Sequence, residues 1–184
     1  MYNEPKHIDK IIDGCKREER KAQEQLYMYF YDAMMSLCIR YTKSETDAEH
    51  VLNSGFFRVF KNIQQYNPAK GTLYTWIHKI VTNCCLYYLK SKQNNIVADE
   101  LDKVEHIQVE PEIFIKMSDE EILNLVRELP AATQAVFNLY IVDGYGHKEV
   151  AALLQISEST SKWHLSEARR RLKLQLLQKE NNIK

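Results

Sequence analysis

The 184-residue sequence predicts an all-α protein made of two small helical domains, a bundle and a helix-turn-helix unit, joined by an acidic linker. Three observations carry this reading. Only five Gly and four Pro occur, too few for the tight turns of a β-sandwich. Apolar residues recur at three- and four-residue spacing on both sides of a polar middle. Charge is segregated: the total is zero, but residues 1–97 carry a net +4, residues 98–130 a net −7 and residues 131–184 a net +3. The expected boundaries are residues 1–92 for the first domain, 93–117 for the linker and 118–184 for the second domain.

With 45% hydrophobic and 27% charged residues, the chain has the composition of a folded protein. Residues 1–10 are polar, without the apolar core of a signal peptide, and no apolar run approaches the roughly 18 residues that span a bilayer. A cytoplasmic protein without membrane insertion is expected. Cys15, Cys38, Cys84 and Cys85 form no C-x-x-C pair, and no His lies at zinc-ligand spacing beside them. They are expected to be core or half-buried thiols, with no metal and no cofactor.

Each helix is written in its apolar spacing. Leu26, Phe30, Met34, Leu37 and Tyr41 make one stripe of a first helix of about 25 residues. A second helix starts near Ser44 or Asp47, with Leu52, Phe56, Val59, Phe60 and Ile63 on one face. Asn67-Pro68 and Gly71 mark a loop. A third long helix then carries Leu73, Trp76, Ile77, Ile80, Cys84 and Tyr88, with Trp76 assigned to the core. Residues 93–117 lose the periodicity and read as the linker. Ser118 and Glu121 form a capping box, with Met117 and Ile122 as its hydrophobic staple, and that helix runs to Leu129 before Pro130. A further helix carries Val136, Phe137 and Tyr140 and ends at Asp143-Gly144, where Gly suits a left-handed C′ residue.

The stretch from His147 to Leu176 fits a helix-turn-helix. Small Ala151 lets two helices approach, Ile156 plugs the turn, and Ser157 caps the second helix. Gln155 occupies a position where Gly would take a left-handed backbone without cost, so strain of roughly 1 kcal/mol is expected. Gly146 is a weaker cap than Ser. At 100° per residue, Leu165, Ala168 and Leu172 face inward. Ser159, Trp163, Ser166, Glu167 and Arg170 then lie opposite, flanked by Lys162, Arg169 and Lys173 on one side and His164 and Arg171 on the other. Polar side chains ringed by cations suit the major groove, with Ser159, Thr160, Lys162, Trp163, Ser166, Arg169 and Arg170 as the candidate DNA contacts. Trp163 is read as an exposed indole that meets thymine methyl groups. A plain helical hairpin with a basic end would show the same pattern, so the motif alone leaves that alternative open.

The rest of the chain narrows the choice. Glu128-Leu129-Pro130, residues 136–140, residues 143–151 and residues 156–162 resemble the C-terminal promoter-binding domain of extracytoplasmic-function (ECF) sigma factors. These form a subfamily of the sigma-70 family. Residues 47–60 look like the helix by which that family docks on polymerase, and residues 73–83 are similar to its promoter-melting helix. The resemblance covers about residues 20–92 and 118–176.

It implies an alternative sigma factor that binds core RNA polymerase through the clamp coiled coil and the flap, and recognises the minus-ten and minus-thirty-five promoter elements. The family is not enzymatic, and the polymerase supplies the chemistry. Asp47, Glu49, Asn53 and Phe56 match the polymerase-docking positions, where His50 and Ser54 replace acids usual in the family. Tyr66, Ile80 and Asn83 match a pocket for a flipped minus-ten base, with Tyr66 as its aromatic face or, on the plainer reading, a packing residue. Lys79, Lys90 and Lys92 are natural phosphate contacts. The resemblance also implies an anti-sigma partner, and a monomer when free. Two other functions fit the residues: a degenerate sigma-like regulator, motivated by His50 and Ser54, and a simple helix-turn-helix regulator.

Overall fold

The computed structural model describes residues 7–92 and 119–182. Every regular element among them is helical. The expected linker, Ser118 of the capping box and Met117 of the staple lie outside the described residues. The chain divides into two compact units, Met1–Tyr88 and Leu89–Lys184.

In the first unit, helices α1 (Ile8–Lys16), α2 (Arg20–Ile39), α3 (Glu45–Asn62) and α4 (Leu73–Lys92) follow one another through short connections. Helix α1 packs on α2, which packs on α3. The sequence reading did not foresee α1, although Ile8, Ile11, Ile12 and Cys15 stand at helical spacing. Helix α2 has 20 residues rather than about 25. It stops at Ile39, and Tyr41 remains 1% exposed in the turn beyond it. The Thr42 hydroxyl donates to the Cys38 carbonyl and helps satisfy that end. Ser44 opens α3 as its N-cap, its Oγ accepting the Asp47 amide at 3.1 Å while donating to the Asp47 carboxylate at 2.9 Å.

Leu26, Phe30 and Met34 of α2 and Leu52, Phe56 and Val59 of α3 are all buried in the core. Full burial of each such side chain contributes about 1.5–3 kcal/mol. Leu73, Ile77, Val81, Cys84 and Cys85 are the buried set of α4. Gly55 sets the approach of α3 to α4, since a Cβ there would stand 3.0 Å from Cγ2 of Val81. All four cysteines are buried free thiols. The Sγ atoms of Cys38 and Cys85 lie 4.0 Å apart, and burial raises the Cys85 thiol well above its ordinary pKa.

The expected register of α4 needs one correction. Its buried line runs through Val81 and Cys85, so Trp76, Ile80 and Tyr88 are only half-buried. Trp76 is therefore not a core residue.

In the second unit, α5 (Asp119–Arg127) ends two residues before Leu129, and Pro130 precedes α6 (Ala131–Phe137). A single wide helical turn, Asn138–Val142, extends α6. Gly144, at φ 76°, then turns the chain as expected. Helices α7 (His147–Leu154) and α8 (Glu158–Asn182) follow. Leu125, Val126 and Leu129 pack with Ala168, Leu172 and Leu176 of α8, and Phe137 lies against them.

Candidate nucleic-acid interface

The α7–α8 pair has the geometry of a helix-turn-helix because three local devices build it. Gln155 takes the left-handed conformation at φ 59° and ψ 42°, turning the chain at the position where Gly would be free of strain. Ser157 accepts the Thr160 amide at 3.0 Å, an N-cap contributing about 1 kcal/mol. Gly146 lacks a capping side chain, but the Glu149 carboxylate reaches back to accept its amide at 2.8 Å.

Across the pair, Nδ1 of His147 lies 2.9 Å from the Ser161 hydroxyl, and its ring stacks on Tyr140 at 4.3 Å between centroids. Burial lowers the pKa of this imidazole below its ordinary value. Lys162 and Arg169 lower it further against the opposing pull of Glu158. The His147 side chain thus ties the start of α7 to α8, in surroundings that favour its neutral form.

On α8 the inward line of Leu165, Ala168 and Leu172 is as expected. Ser159, Lys162 and Arg169 are exposed, and Thr160 and Ser166 are half-exposed. The Ser159 and Thr160 hydroxyls both lie within 2.8 Å of the Ser157 hydroxyl, which orders the first turn.

Four residues stand differently from the helical wheel. Trp163 is half-buried, edge-on to the His164 ring at 4.8 Å, and its indole nitrogen is buried, so it is not an open apolar patch. His164 is 6% exposed and bonded to Thr133 of α6 at 3.1 Å. Glu167 is 5% exposed, although the wheel places it opposite Leu165. Two arginines hold it. Arg170 donates to both carboxylate oxygens at 2.7 and 2.8 Å, and Arg171 donates to Oε1. The Arg170 hydrogen bonds lower the Glu167 pKa most, with Arg171 adding to them and burial opposing. Arg170 is thus bound to Glu167, with about a third of its side chain still open.

In the first unit, the outward face of α3 is a shallow depression whose lining includes His50, Asn53, Ser54, Phe57 and Arg58. Glu49 is exposed on this helix, and Asn53 accepts the Tyr27 hydroxyl at 3.0 Å. Asp47 is tied to Ser44 and hydrogen-bonded to Tyr88. Phe56 does not belong to the face: it is 2% exposed and packs against Tyr27. The exposed aromatic is its neighbour Phe57, at 69%. The sequence reading missed it because both positions are apolar and 100° apart.

On α4, Lys79, Asn83 and Lys90 are exposed and Ile80 is half-exposed. Tyr66 is 9% exposed, its ring 5.6 Å from that of Trp76 and its hydroxyl donating to the Gly71 carbonyl at 3.3 Å. It pins the loop before α4 and is not an open stacking platform.

Comparison with known proteins finds two separate matches along the chain. A family profile described as Sigma-70 region 2 matches residues 26–95, which hold α3 and α4, and one described as Sigma-70, region 4 matches residues 119–172, which hold the helix-turn-helix. The chain belongs to the sigma-70 family. Within it, the chain groups with the ECF sigma factors, which serve transcription initiation.

It is 24% identical over 155 residues to the ECF RNA polymerase sigma factor SigE of Mycolicibacterium smegmatis, an alignment spanning 82% of this chain and 60% of that protein. It is 22% identical over 171 residues to the ECF RNA polymerase sigma-E factor of Escherichia coli (strain K12), spanning 86% of this chain and 88% of that one. Two solved structures share the fold. The sigma factor RpoE from Bartonella quintana, in complex with the anti-sigma factor NepR, superposes with a TM-score of 0.56 at 17% identity, over 84% of this chain and 96% of that one. CnrH, in complex with the cytosolic domain of CnrY, gives 0.51 at 16% identity, over 90% and 94%.

The sigma factor therefore carries its α3 face and its α4 face in region 2, and its helix-turn-helix in region 4.

Proposed function

We propose that this chain is an alternative sigma factor that binds core RNA polymerase through α3, opens the minus-ten element with α4, and reads the minus-thirty-five element with α8. The observation that carries the reading is the helix-turn-helix of α7 and α8, with Ser159, Lys162 and Arg169 outward on α8, in a chain that also matches region 2. Exposed hydroxyls beside cations can read base edges while the cations hold phosphates. Thr160 and Ser166 lie partly open on the same helix, and Trp163 offers only the part of its ring that remains exposed.

On α3, the docking residues are Glu49 and Asn53 with Phe57 between the outward polar side chains. Asp47 acts by holding the start of the helix, and Phe56 supports the face from behind. On α4, Asn83 reads an unpaired base that Ile80 and the edge of Tyr66 enclose, while Lys79 and Lys90 hold the strand. The clamp coiled coil and the flap are the surfaces of polymerase that would receive the two units. Both structural relatives were solved in complex with a protein partner, the anti-sigma factor NepR in one and the cytosolic domain of CnrY in the other, and an anti-sigma factor is the corresponding partner here. A cytoplasmic location accords with these partners. No helix among the described residues is long and apolar enough to cross a membrane.

Run-off transcription with core polymerase on genomic fragments tests the reading. Discrete transcripts that require this chain support it. Binding to core polymerase without any transcript points instead to a degenerate regulator, for which His50 and Ser54 on the docking face are the motive. Sequence-specific duplex binding without polymerase binding points to a simple transcription regulator.

A further inference from the structure

Helix α1 precedes the residues matched by the region 2 profile, which begin at residue 26, and the function proposed above gives it no role. Backbone bonds close its C-terminal end. The Glu18 amide donates to the Cys15 carbonyl at 3.0 Å and the Glu19 amide to the Gly14 carbonyl at 3.0 Å, with Glu18 left-handed at φ 60°. This is the Schellman arrangement, to which the Arg17 amide adds a bond to the Asp13 carbonyl at 3.1 Å. The carbonyl of Lys16, the last helical residue, has no place in that pattern. It accepts instead from Nε2 of Gln64, 48 residues further along the chain, at 2.7 Å.

Gln64 is the middle residue of a short 3-10 turn, Ile63–Gln65, that leads into the loop before α4. Ile63 and Tyr66, on either side of it, are buried and hold this segment from within. The Tyr66 hydroxyl reaches the Gly71 carbonyl and Asn67 accepts the Ala69 amide, both bonds internal to the loop. The Gln64 amide reaches another element, and α1 packs against both this turn and α2. The position of α1 is itself set by packing: Ile12 and Cys15 are buried, and a Cβ at Gly14 would stand 2.5 Å from the Cβ of Ala22. The loop is thus tied to a helix that cannot shift freely.

We propose that α1 braces the loop before α4 through Gln64, which makes Gln64 a positioning residue for capture of the unpaired base. This rests on the function proposed above, in which Tyr66 of that loop helps Ile80 and Asn83 enclose the base. Capture must offset the cost of unpairing, and a loop that has to be ordered at that moment gives up part of the gain. The bond from Gln64 to α1 orders the loop in the free protein, before DNA arrives.

The test uses the full-length chain with core RNA polymerase on a genomic promoter fragment, supplied as duplex and with its minus-ten region pre-melted. Gln64→Leu, which removes the donor, should lower transcript yield on the duplex about 2- to 12-fold, the range that one net hydrogen bond can transmit. Most of that loss should vanish on the pre-melted template, where unpairing is already done. The variant should stay folded at the assay temperature and bind core polymerase as wild type does. Gly14→Ala, which pushes α1 off Ala22, should show the same template dependence. The double variant should fall within about twofold of the worse single, since both changes act on one brace. Should Gly14→Ala not fold, the Gln64→Leu yields decide alone. A wild-type ratio of duplex to pre-melted yield in Gln64→Leu overturns the proposal. So does an equal loss on both templates, which would make Gln64 only structural. An additive double variant also overturns it, since Gln64 would then be a separate contact to DNA. All three outcomes leave the sigma function standing, whereas a wild-type chain that yields no transcript from any fragment removes both readings.

Discussion

Replacing Glu167 by Gln tests the network that the structure places on α8. The carboxylate accepts two hydrogen bonds from Arg170, at 2.7 and 2.8 Å, and one from Arg171, with its own side chain 6% exposed. Breaking a fully buried pair costs about 3–5 kcal/mol, because a charge is stranded away from water. Here the arginine side chains are 35% and 43% exposed, so both can rehydrate, and the expected loss falls to about 1–2 kcal/mol. For a unit of 60–100 residues that is a drop in Tm of about 4–16 °C. Fluorescence of Trp163 in a Trp76→Phe background would follow the second unit, since the chain has only these two tryptophans.

The difference depends on pH with a definite sign. Glu167 has a folded pKa below its unfolded value, so its contribution is complete above about pH 4.3 and is lost as pH falls through the folded pKa. Wild type and Glu167→Gln should therefore converge in acid. The same substitution frees two cations, so the salt dependence of promoter binding should steepen by about 0.9 for each phosphate newly contacted. Arg170→Ala should destabilise the unit with little effect on that slope. If Arg170→Ala instead flattens the slope by about one unit and leaves Tm unchanged, Arg170 is a phosphate ligand and this reasoning is wrong.

Three further outcomes are expected. Phe56→Ala should cost about 3–5 kcal/mol and unfold much of the first unit, whereas Phe57→Ala should stay within about 0.5 kcal/mol of wild type yet bind core polymerase about tenfold more weakly. Melting curves beside polymerase titrations check this, and full polymerase affinity in the Phe57 variant would remove α3's outer face from docking. Gln155→Gly should stabilise the second unit by about 0.5–1 kcal/mol, since relief of left-handed strain exceeds the added freedom of the unfolded chain; a lower Tm would show that Gln155 is not strained. The folded His147 imidazole has a lowered pKa, so its contribution is complete above about pH 6.5 and lost as pH falls through the folded value. The wild-type Tm should thus fall more than that of His147→Phe between pH 7.5 and 5.5, and parallel curves would show that the imidazole is not held neutral.

What the sequence determined by itself is local. The caps at Ser44 and Ser157, the left-handed turns at Gln155 and Gly144, and the helical periods of α2, α3 and α8 are each settled within three or four residues, by bonds and torsions inside one segment. Even α1 was legible in the spacing of Ile8, Ile11, Ile12 and Cys15, had a polar start not hidden it. Only the tertiary structure decided how each helix is turned about its axis. Phe56 and Phe57 are equally apolar, and it is the packing around Gly55 and Val81 that buries one and exposes the other. On α4, packing likewise leaves Trp76 out of the core and turns Tyr87 outward. Glu167 shows the limit most clearly. A carboxylate on the outer side of a wheel reads as solvated, and its burial follows from Arg170 and Arg171 closing on it. Backbone conformation answers to near neighbours, while exposure depends on every group within reach in space.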